Sequence, residues 1–131
     1  MMSKELFLGI NFSTELTVAM KDTASMYGSG LVEVFATPAM IGMMENTAHL
    51  CVNDSLDETQ ITVGTEVNIQ HLKATPIGMK VVCNATLIEI EGKKLVFEVI
   101  AHDEQGLIGK GFHTRYIVDR KKFMNKLNQS S

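Results

Sequence analysis

Glu45 is the side chain whose surroundings in the sequence most clearly demand an explanation. It lies within the apolar run TPAMIGMMENTAHLCV, and its helical neighbours one turn away are Ile41 and Ala48. A lone buried carboxylate either costs several kcal/mol or shifts its pKa upward, and general acid/base or nucleophilic chemistry is a common reason for keeping one. The alternative is that Glu45 and Asn46 form a narrow polar stripe, with Glu45 paired to His49. The residues alone do not separate these interpretations.

Thr37 and His71 are two further side chains at positions suited to chemistry. Thr37 precedes Pro38, which predicts a helix N-cap followed by a first-turn proline. A hydroxyl there also lies beside unpaired backbone N–H groups that can hold an oxyanion. His71 ends the strand-like segment ITVGTEVNIQH, where it is either an ordinary edge-strand histidine or an acid/base group. No His, Cys or carboxylate spacing fits a ligand set, so we expect no metal.

The elements that must position these side chains follow from the hydrophobic pattern. A helix is predicted from about Pro38 to Leu56 and is apolar on almost every face, so the rest of the chain must wrap it. Four later segments alternate like strands, namely ITVGTEVNIQHLKA, MKVVCNATLIEIE, KLVFEVIAHD and GLIGKGFHTRYIVD, and the last three predict an antiparallel meander. Residues 5–20 are predicted to form an earlier strand-like segment, and KDTASMYGSG after it is predicted to be a loop. The pattern predicts an α+β fold in the order β-α-β-β-β-β.

Small and flexible side chains mark two places of close packing. Gly109 and Gly111 share one bare face of the last strand, which predicts close approach of a helix, a backbone or a ligand. Met40 and Met44 flank Glu45 along the helix, where they are either core or an adaptable lining for an apolar acyl chain. The residues from about 119 onward are predicted to form a solvated tail or a short terminal helix.

The composition limits the class of protein. The 131 residues carry 12 Lys+Arg and 15 Asp+Glu, a net charge of −3, which fits one domain spanning 1–131 and argues against nucleic-acid binding. No apolar run reaches the 18 residues of a membrane span, and no targeting segment is apparent at the amino end. Cys51 and Cys83 are expected to be reduced thiols, which favours a cytoplasmic location.

Three stretches taken together resemble a known family, the hot-dog-fold thioesterases similar to fluoroacetyl-CoA thioesterase. These are VFATPAMIGMMENTA, VGTEVNIQHLKATPIGM and GKGFHTRYIVDRKKF, in the family's order and with its spacing. The resemblance implies an antiparallel sheet curled around one central helix. It also implies a homodimer or higher oligomer whose sheets join edge to edge, with active sites near the interface. No cofactor is implied, because CoA is part of the substrate.

The resemblance also assigns roles to individual residues. A Thr at the helix mouth, a Glu eight residues on and a His 34 residues after the Thr form the family's catalytic constellation, and Thr37, Glu45 and His71 stand at these positions. Gly64 matches the glycine that offers a backbone N–H and room near the thioester. Arg115 matches an arginine near the mouth that could meet CoA phosphates, its alternative being a surface ion pair.

The implied activity is hydrolysis of a small or medium acyl-CoA to the free acid and CoA. Glu45 would act as general base or as nucleophile, with Thr37 and His71 assisting. A non-catalytic acyl-CoA or acyl-carrier binding module of the same fold is the alternative. Hydratase chemistry would need an Asp/His pair that the sequence does not place. The family's aromatic gate is replaced here by YGSGLVEVFA, with Leu31 near the expected position, so we expect an acyl group other than fluoroacetyl.

Overall fold

The alternating segments form a five-stranded antiparallel sheet across which one long helix packs. The computed structural model describes residues 5–129. Its elements are β1 (Asn11–Thr17), α1 (Ala24–Tyr27), α2 (Thr37–Asn53), β2 (Gln60–His71), β3 (Lys80–Glu91), β4 (Lys94–Asp103), β5 (Gly106–Asp119) and α3 (Arg120–Gln129). The strand order in the sheet is β1-β3-β4-β5-β2, with every neighbouring pair antiparallel. The predicted fold class and the meander of the last three strands are therefore confirmed.

The core lies between α2 and the inner face of the sheet. Alternate residues of β3 and β4 point to this face, as the period of two requires, and meet the buried side of α2. Burial of each large apolar side chain contributes about 1.5–3 kcal/mol. The buried set comprises Met40, Met43, Met44, Ala48 and Val52 of α2, Val81, Cys83, Ala85 and Leu87 of β3, and Leu95, Phe97, Val99 and Ala101 of β4.

The start of α2 differs from the sequence prediction. The N-cap is Ala36, and Thr37 is the first helical residue, followed by Pro38. The prediction that Thr37 caps the helix is therefore wrong. Alanine has no side-chain acceptor, so no cap hydrogen bond forms, and the first N–H groups of α2 gain no partner from their cap residue. The Thr37 hydroxyl is left for another partner. The helix also ends at Asn53, before the predicted Leu56.

The helix is less completely wrapped than its composition predicts. Gly42, Asn46 and Leu50, spaced one turn apart, form an exposed stripe along α2. Glu45 and His49 lie beside this stripe and are half-buried. The sheet therefore covers most of α2 but leaves a narrow strip along which Glu45 reaches towards solvent.

The glycines of β5 confirm the predicted close approach. A Cβ atom at Gly109 would lie 2.5 Å from Sδ of Met40, so α2 packs directly against this strand. A Cβ atom at Gly111 would overlap the backbone of Asn68 and Ile69 in β2. Both glycines therefore provide space for a neighbouring element, which is the role that their bare face predicted.

The loop and the tail contain more regular structure than expected. The segment KDTASMYGSG includes a 3-10 turn and α1, whose first turn is capped by the Thr23 hydroxyl. The tail from 120 onward forms α3, in agreement with the alternative of a terminal helix. Among residues 5–129, no helix is long and apolar enough to cross a membrane. Cys51 and Cys83 are free thiols, whereas the cytoplasmic location stays a prediction.

Candidate active site

Thr37 and His71 form a hydrogen-bonded pair at the amino end of α2. The two residues are 34 positions apart in the sequence, and Oγ1 of Thr37 lies 2.8 Å from Nδ1 of His71. The pair forms because α2 begins where β2 ends, so the first helical turn faces the last residue of the strand. Because Thr37 is not the N-cap, its hydroxyl is free to make this bond. The structure thus brings together two of the three predicted catalytic residues.

The imidazole of His71 has one bonded and one unbonded nitrogen. Its Nε2 is buried and has no hydrogen-bond partner in the described part of the chain. Burial lowers the pKa of His71, and an interaction with the Lys73 backbone offsets part of this change. The ring is therefore held neutral near pH 7. A neutral imidazole can exchange a proton with the Thr37 hydroxyl or with a reacting group.

A cleft opens beside this pair. It has a volume of about 340 Å³, and its lining includes Thr37, His71, Lys73 and Ser29. The lining combines a hydroxyl pair, an imidazole and an ammonium group with apolar side chains. Convergent polar groups of this kind fix the orientation of a small molecule in a binding site. The cleft therefore marks the mouth of α2 as a candidate binding site.

Glu45 lies in a second cluster, around Gly64 in β2. The register between β2 and β5 shifts between Gly64 and Glu66, which identifies a β-bulge at this point. A Cβ atom at Gly64 would lie 3.1 Å from Oε2 of Glu45 and 3.2 Å from Nη1 of Arg115. In the described part of the chain, the Glu45 carboxylate accepts no hydrogen bond and forms no ion pair with His49. The alternative of a Glu45–His49 pair is therefore not observed.

A buried chain of polar side chains supports this second cluster. His113 is 1% exposed, and its Nδ1 donates to the Glu66 carbonyl over 2.8 Å. Its Nε2 then accepts from Nη1 of Arg115 over 3.1 Å, which fixes the tautomer. Burial, followed by the nearby Arg115 charge, lowers the pKa of His113, although the Glu66 carbonyl and Glu45 oppose the change. His113 is therefore a neutral acceptor that orients Arg115.

Sequence reasoning considered His113 only as a metal ligand and missed this role. The signal that could have identified it is the alternation in HTRYI. That pattern places His113, Arg115 and Ile117 on one face of β5, the face that Ile117 turns to the core.

Arg115 is a buried residue. It is 8% exposed, and its Nε and Nη2 donate to Oγ1 and O of Thr62 over 2.8 and 2.9 Å. Burial lowers the pKa of Arg115, whereas the Glu45 carboxylate raises it, so the two charges sense each other. The alternative of a surface ion pair is wrong. Contact with CoA phosphates stays a prediction, and the geometry instead places the guanidinium beside Glu45 and Gly64.

The two methionines predicted to line an acyl pocket lie in the core. Met40 is fully buried against Gly109, and Met44 is buried beside it. Neither lines the cleft next to Thr37. The structure therefore shows packing for both side chains, and their contact with an acyl group stays a prediction.

One chain does not bring its two clusters together. Thr37 and Glu45 are eight residues apart along α2, a separation of about 12 Å at 1.5 Å per residue. His71 and Gly64 are seven residues apart along β2, about 23 Å at the rise of an extended strand. The hydroxyl–imidazole pair therefore lies at one end of the elements, and the carboxylate–guanidinium cluster lies further along.

Comparison with known proteins assigns the family. The model of the fluoroacetyl-CoA-specific thioesterase family, FlK, matches residues 18–121. This chain belongs to the FlK family. A fluoroacetyl-CoA thioesterase from Streptantibioticus cattleyicolor is 36% identical over 99 residues, which cover 76% of this chain and 71% of that relative. Residues 18–121, which the family model matches, contain every residue of the two clusters.

Solved structures agree with this membership of the FlK family. A structure of the fluoroacetyl-CoA thioesterase FlK superposes with a TM-score of 0.91 and 30% identity, covering 98% of this chain and 99% of that one. A thioesterase superfamily member from Thermus thermophilus superposes with a TM-score of 0.87 and 26% identity, covering 93% and 90%. The hot-dog fold of this FlK-family chain is therefore shown over nearly its whole length.

Proposed function

We propose that this protein hydrolyses the thioester of an acyl-CoA, using Thr37, His71 and Glu45. The observation that carries the proposal is the 2.8 Å bond between Thr37 and His71 at the cleft, in a chain that also holds Glu45 beside Gly64. Relatives in the FlK family are named for this activity, and a structure of a FlK variant contains acetyl-CoA. The substrate assignment rests on these relatives, and the residue roles rest on the family resemblance together with the bond between Thr37 and His71.

The reaction needs a nucleophile at the carbonyl carbon and a proton for the leaving sulfur. Glu45 either takes a proton from water as the water oxygen bonds to carbon, or bonds to carbon itself and is released by water afterwards. In both routes the C–S bond breaks, and the thiolate of CoA leaves. The Thr37–His71 pair passes to the leaving sulfur a proton of the water that the reaction consumes, and N–H groups at the start of α2 stabilise the oxyanion. The products are the free acid and CoA.

A homodimer would complete the site, because one chain separates the two clusters. β2 is one of the two edge strands of the sheet, and residues Gly64 to Asn68 along it are exposed, which is typical of a strand that pairs with another chain. In an antiparallel pair of two β2 strands related by a two-fold axis at Asn68, the bulge after Gly64 brings His71 of each copy opposite Gly64 of the other. We therefore propose that each site uses Thr37 and His71 from one protomer and Glu45 from its partner.

The acyl group is proposed to differ from fluoroacetyl. Leu31 is 98% exposed and stands near the position where the family has an aromatic gate. It lies six residues before Thr37, in a loop of small residues at the mouth of α2. A flexible aliphatic side chain closes a pocket less tightly than an aromatic ring, which favours a longer or more variable acyl group.

The activity is tested by measuring free thiol released from a panel of acetyl-, fluoroacetyl-, butyryl- and hexanoyl-CoA. We expect saturable release with at least one ester, faster for butyryl- or hexanoyl-CoA than for fluoroacetyl-CoA. Binding of these esters without thiol release from any of them would support the non-catalytic module instead. Binding is measured by calorimetry on the same preparation. Thiol release then supports the hydrolase, and binding without release supports the non-catalytic module.

Gly64→Ala should lower kcat/KM for the preferred ester by about tenfold, because misplacement of reacting groups by a fraction of an ångström is costly. The new methyl group would lie 3.0–3.2 Å from His113, Glu45 and Arg115, closer than ordinary contacts. Steady-state thiol release measures the effect. Gly42→Ala is the control, since nothing lies within 4 Å of its added Cβ. An unchanged Gly64→Ala rate would show that the bulge does not approach the reacting atoms.

A further inference from the structure

Asp103 is a buried acidic side chain that the proposed reaction does not use. It ends β4 on the inner face of the sheet, and its side chain is 1% exposed. Its Oδ1 accepts from the Gln105 N–H over 2.8 Å, and its Oδ2 accepts from the Thr75 hydroxyl over 2.9 Å. The Lys73 ammonium lies 3.7 Å from Oδ1. A carboxylate buried at this cost is retained only where it is fully partnered.

The charge state of Asp103 agrees with this arrangement. Burial would raise the pKa of its carboxyl, but the hydrogen bonds from Gln105 and Thr75 and the Lys73 charge hold the pKa below its usual value. The group is therefore an anion at neutral pH. An anionic acceptor makes the bond from the Thr75 hydroxyl stronger than a bond between two neutral groups.

Thr75 connects this carboxylate to both members of the catalytic pair. Its carbonyl accepts from the Phe35 N–H over 2.8 Å, two residues before Thr37. Thr75 is also close to His71 in the sequence, since His71 lies four residues before it. The stretch between them, residues 72–75, belongs to no strand or helix. The bonds that position this segment include those from the Leu72 and Lys73 N–H groups to the Ile108 carbonyl. They also include the contacts of the Thr75 hydroxyl and the Lys73 ammonium with Asp103.

We propose that Asp103 and Thr75 are positioning residues that hold Thr37 and His71 at bonding distance. The proposal rests on the proposed function of that pair. Asp103 fixes Thr75 from the β4–β5 turn, and Thr75 in turn fixes the backbone that leads into Thr37 and the backbone that follows His71. Neither residue touches the substrate. Their contribution is geometric, because small displacements of a catalytic pair cost large factors in rate.

The test compares substitutions at Thr75 in the full-length protein with the preferred acyl-CoA. Thr75→Val keeps the side-chain shape but removes the hydroxyl, and we expect kcat to fall about tenfold or more with KM within about twofold. Thr75→Ser restores the donor and should recover most of kcat. Thermal unfolding is measured for each variant, and rates are compared well below the lowest Tm.

A second pair of variants keeps the proposal testable if Thr75→Val fails to fold. Asp103→Asn removes the charge and leaves one acceptor oxygen for two donors, the Gln105 N–H and the Thr75 hydroxyl, so the hold on Thr75 weakens and kcat should fall as in Thr75→Val. Glu104→Ala is the control. Glu104 is the neighbouring residue of the same turn, but it accepts from the exposed Lys80 N–H over 2.8 Å and, within the described residues, forms no hydrogen bond or ion pair with Thr75 or His71.

The outcomes separate this proposal from the proposed function. Wild-type protein that releases no thiol from any ester refutes the thioesterase reaction itself. An active wild type whose folded Thr75→Val or Asp103→Asn variant retains kcat within about twofold refutes the positioning role alone. An equal loss in Glu104→Ala would also refute it, because the effect would then belong to the turn as a whole. The positioning role is supported if kcat falls in Thr75→Val and in Asp103→Asn, recovers in Thr75→Ser and is unchanged in Glu104→Ala.

Discussion

Glu45→Gln should lower kcat for acyl-CoA hydrolysis by about 10²–10⁴-fold, the range of a lost general base or nucleophile. Glutamine has nearly the same shape as glutamate, so the packing beside Gly64 and Arg115 is kept. An amide neither takes a proton from water nor attacks a thioester, so both proposed routes stop. KM should change little, since the carboxylate acts at the carbonyl carbon and not on the CoA moiety. Thiol release under saturating ester measures the effect.

Two control measurements make this test specific to Glu45. Glu98→Gln removes a carboxylate from the exposed outer face of β4, on the far side of the sheet, and should leave kcat unchanged. The far-ultraviolet circular dichroism and Tm of Glu45→Gln should match wild type within a few degrees, because Glu45 is half-buried and accepts no hydrogen bond in the described structure. A folded Glu45→Gln enzyme with wild-type kcat would remove Glu45 from the mechanism.

The fold could be predicted well because its sequence signals are local. Strict alternation in β3 and β4 placed Val81 and Leu95 on the inner face, and turn residues such as Gly92 gave the hairpin between them. Helix boundaries were less accurate. The pair Thr37–Pro38 has the composition of a cap and first turn, yet the chain begins the helix one residue earlier. A tertiary bond to His71 competes for the same hydroxyl, and no local pattern reveals that competition.

The site could be predicted only in part, because spacing along one chain does not give distance in an assembly. The residue types at positions 37, 45 and 71 were identified, but the separation of Glu45 from the other two depends on where α2 and β2 run. The surface ion pair was an alternative for Arg115, although alternation along β5 turns both Arg115 and His113 inward. The sequence carries no signal that separates Asp103 from an ordinary turn residue, since carboxylates are common at strand ends and turns. Its burial is a property of the packed sheet.

Mixing two inactive variants should restore activity if each site is shared between protomers. We expect Glu45→Gln and His71→Ala homodimers each to lack activity. In the mixed dimer, the intact Thr37–His71 pair of the Glu45→Gln chain meets the intact Glu45 of the His71→Ala chain. The other site carries both substitutions. One of two sites is then wild type, so purified mixed dimer should show about half the kcat of the wild-type dimer.

The mixed dimer is obtained by co-expressing the two chains with different affinity tags and purifying over both. Its mass is checked by light scattering, and KM should equal the wild-type value, because the restored site contains no substitution. If Thr37, His71 and Glu45 instead acted within one chain, each site of the mixed dimer would carry one substitution, and activity would stay at the level of the parents. A protein that elutes as a monomer and still hydrolyses acyl-CoA would equally exclude the shared site, since about 12 Å along α2 separates Thr37 from Glu45 in a single chain.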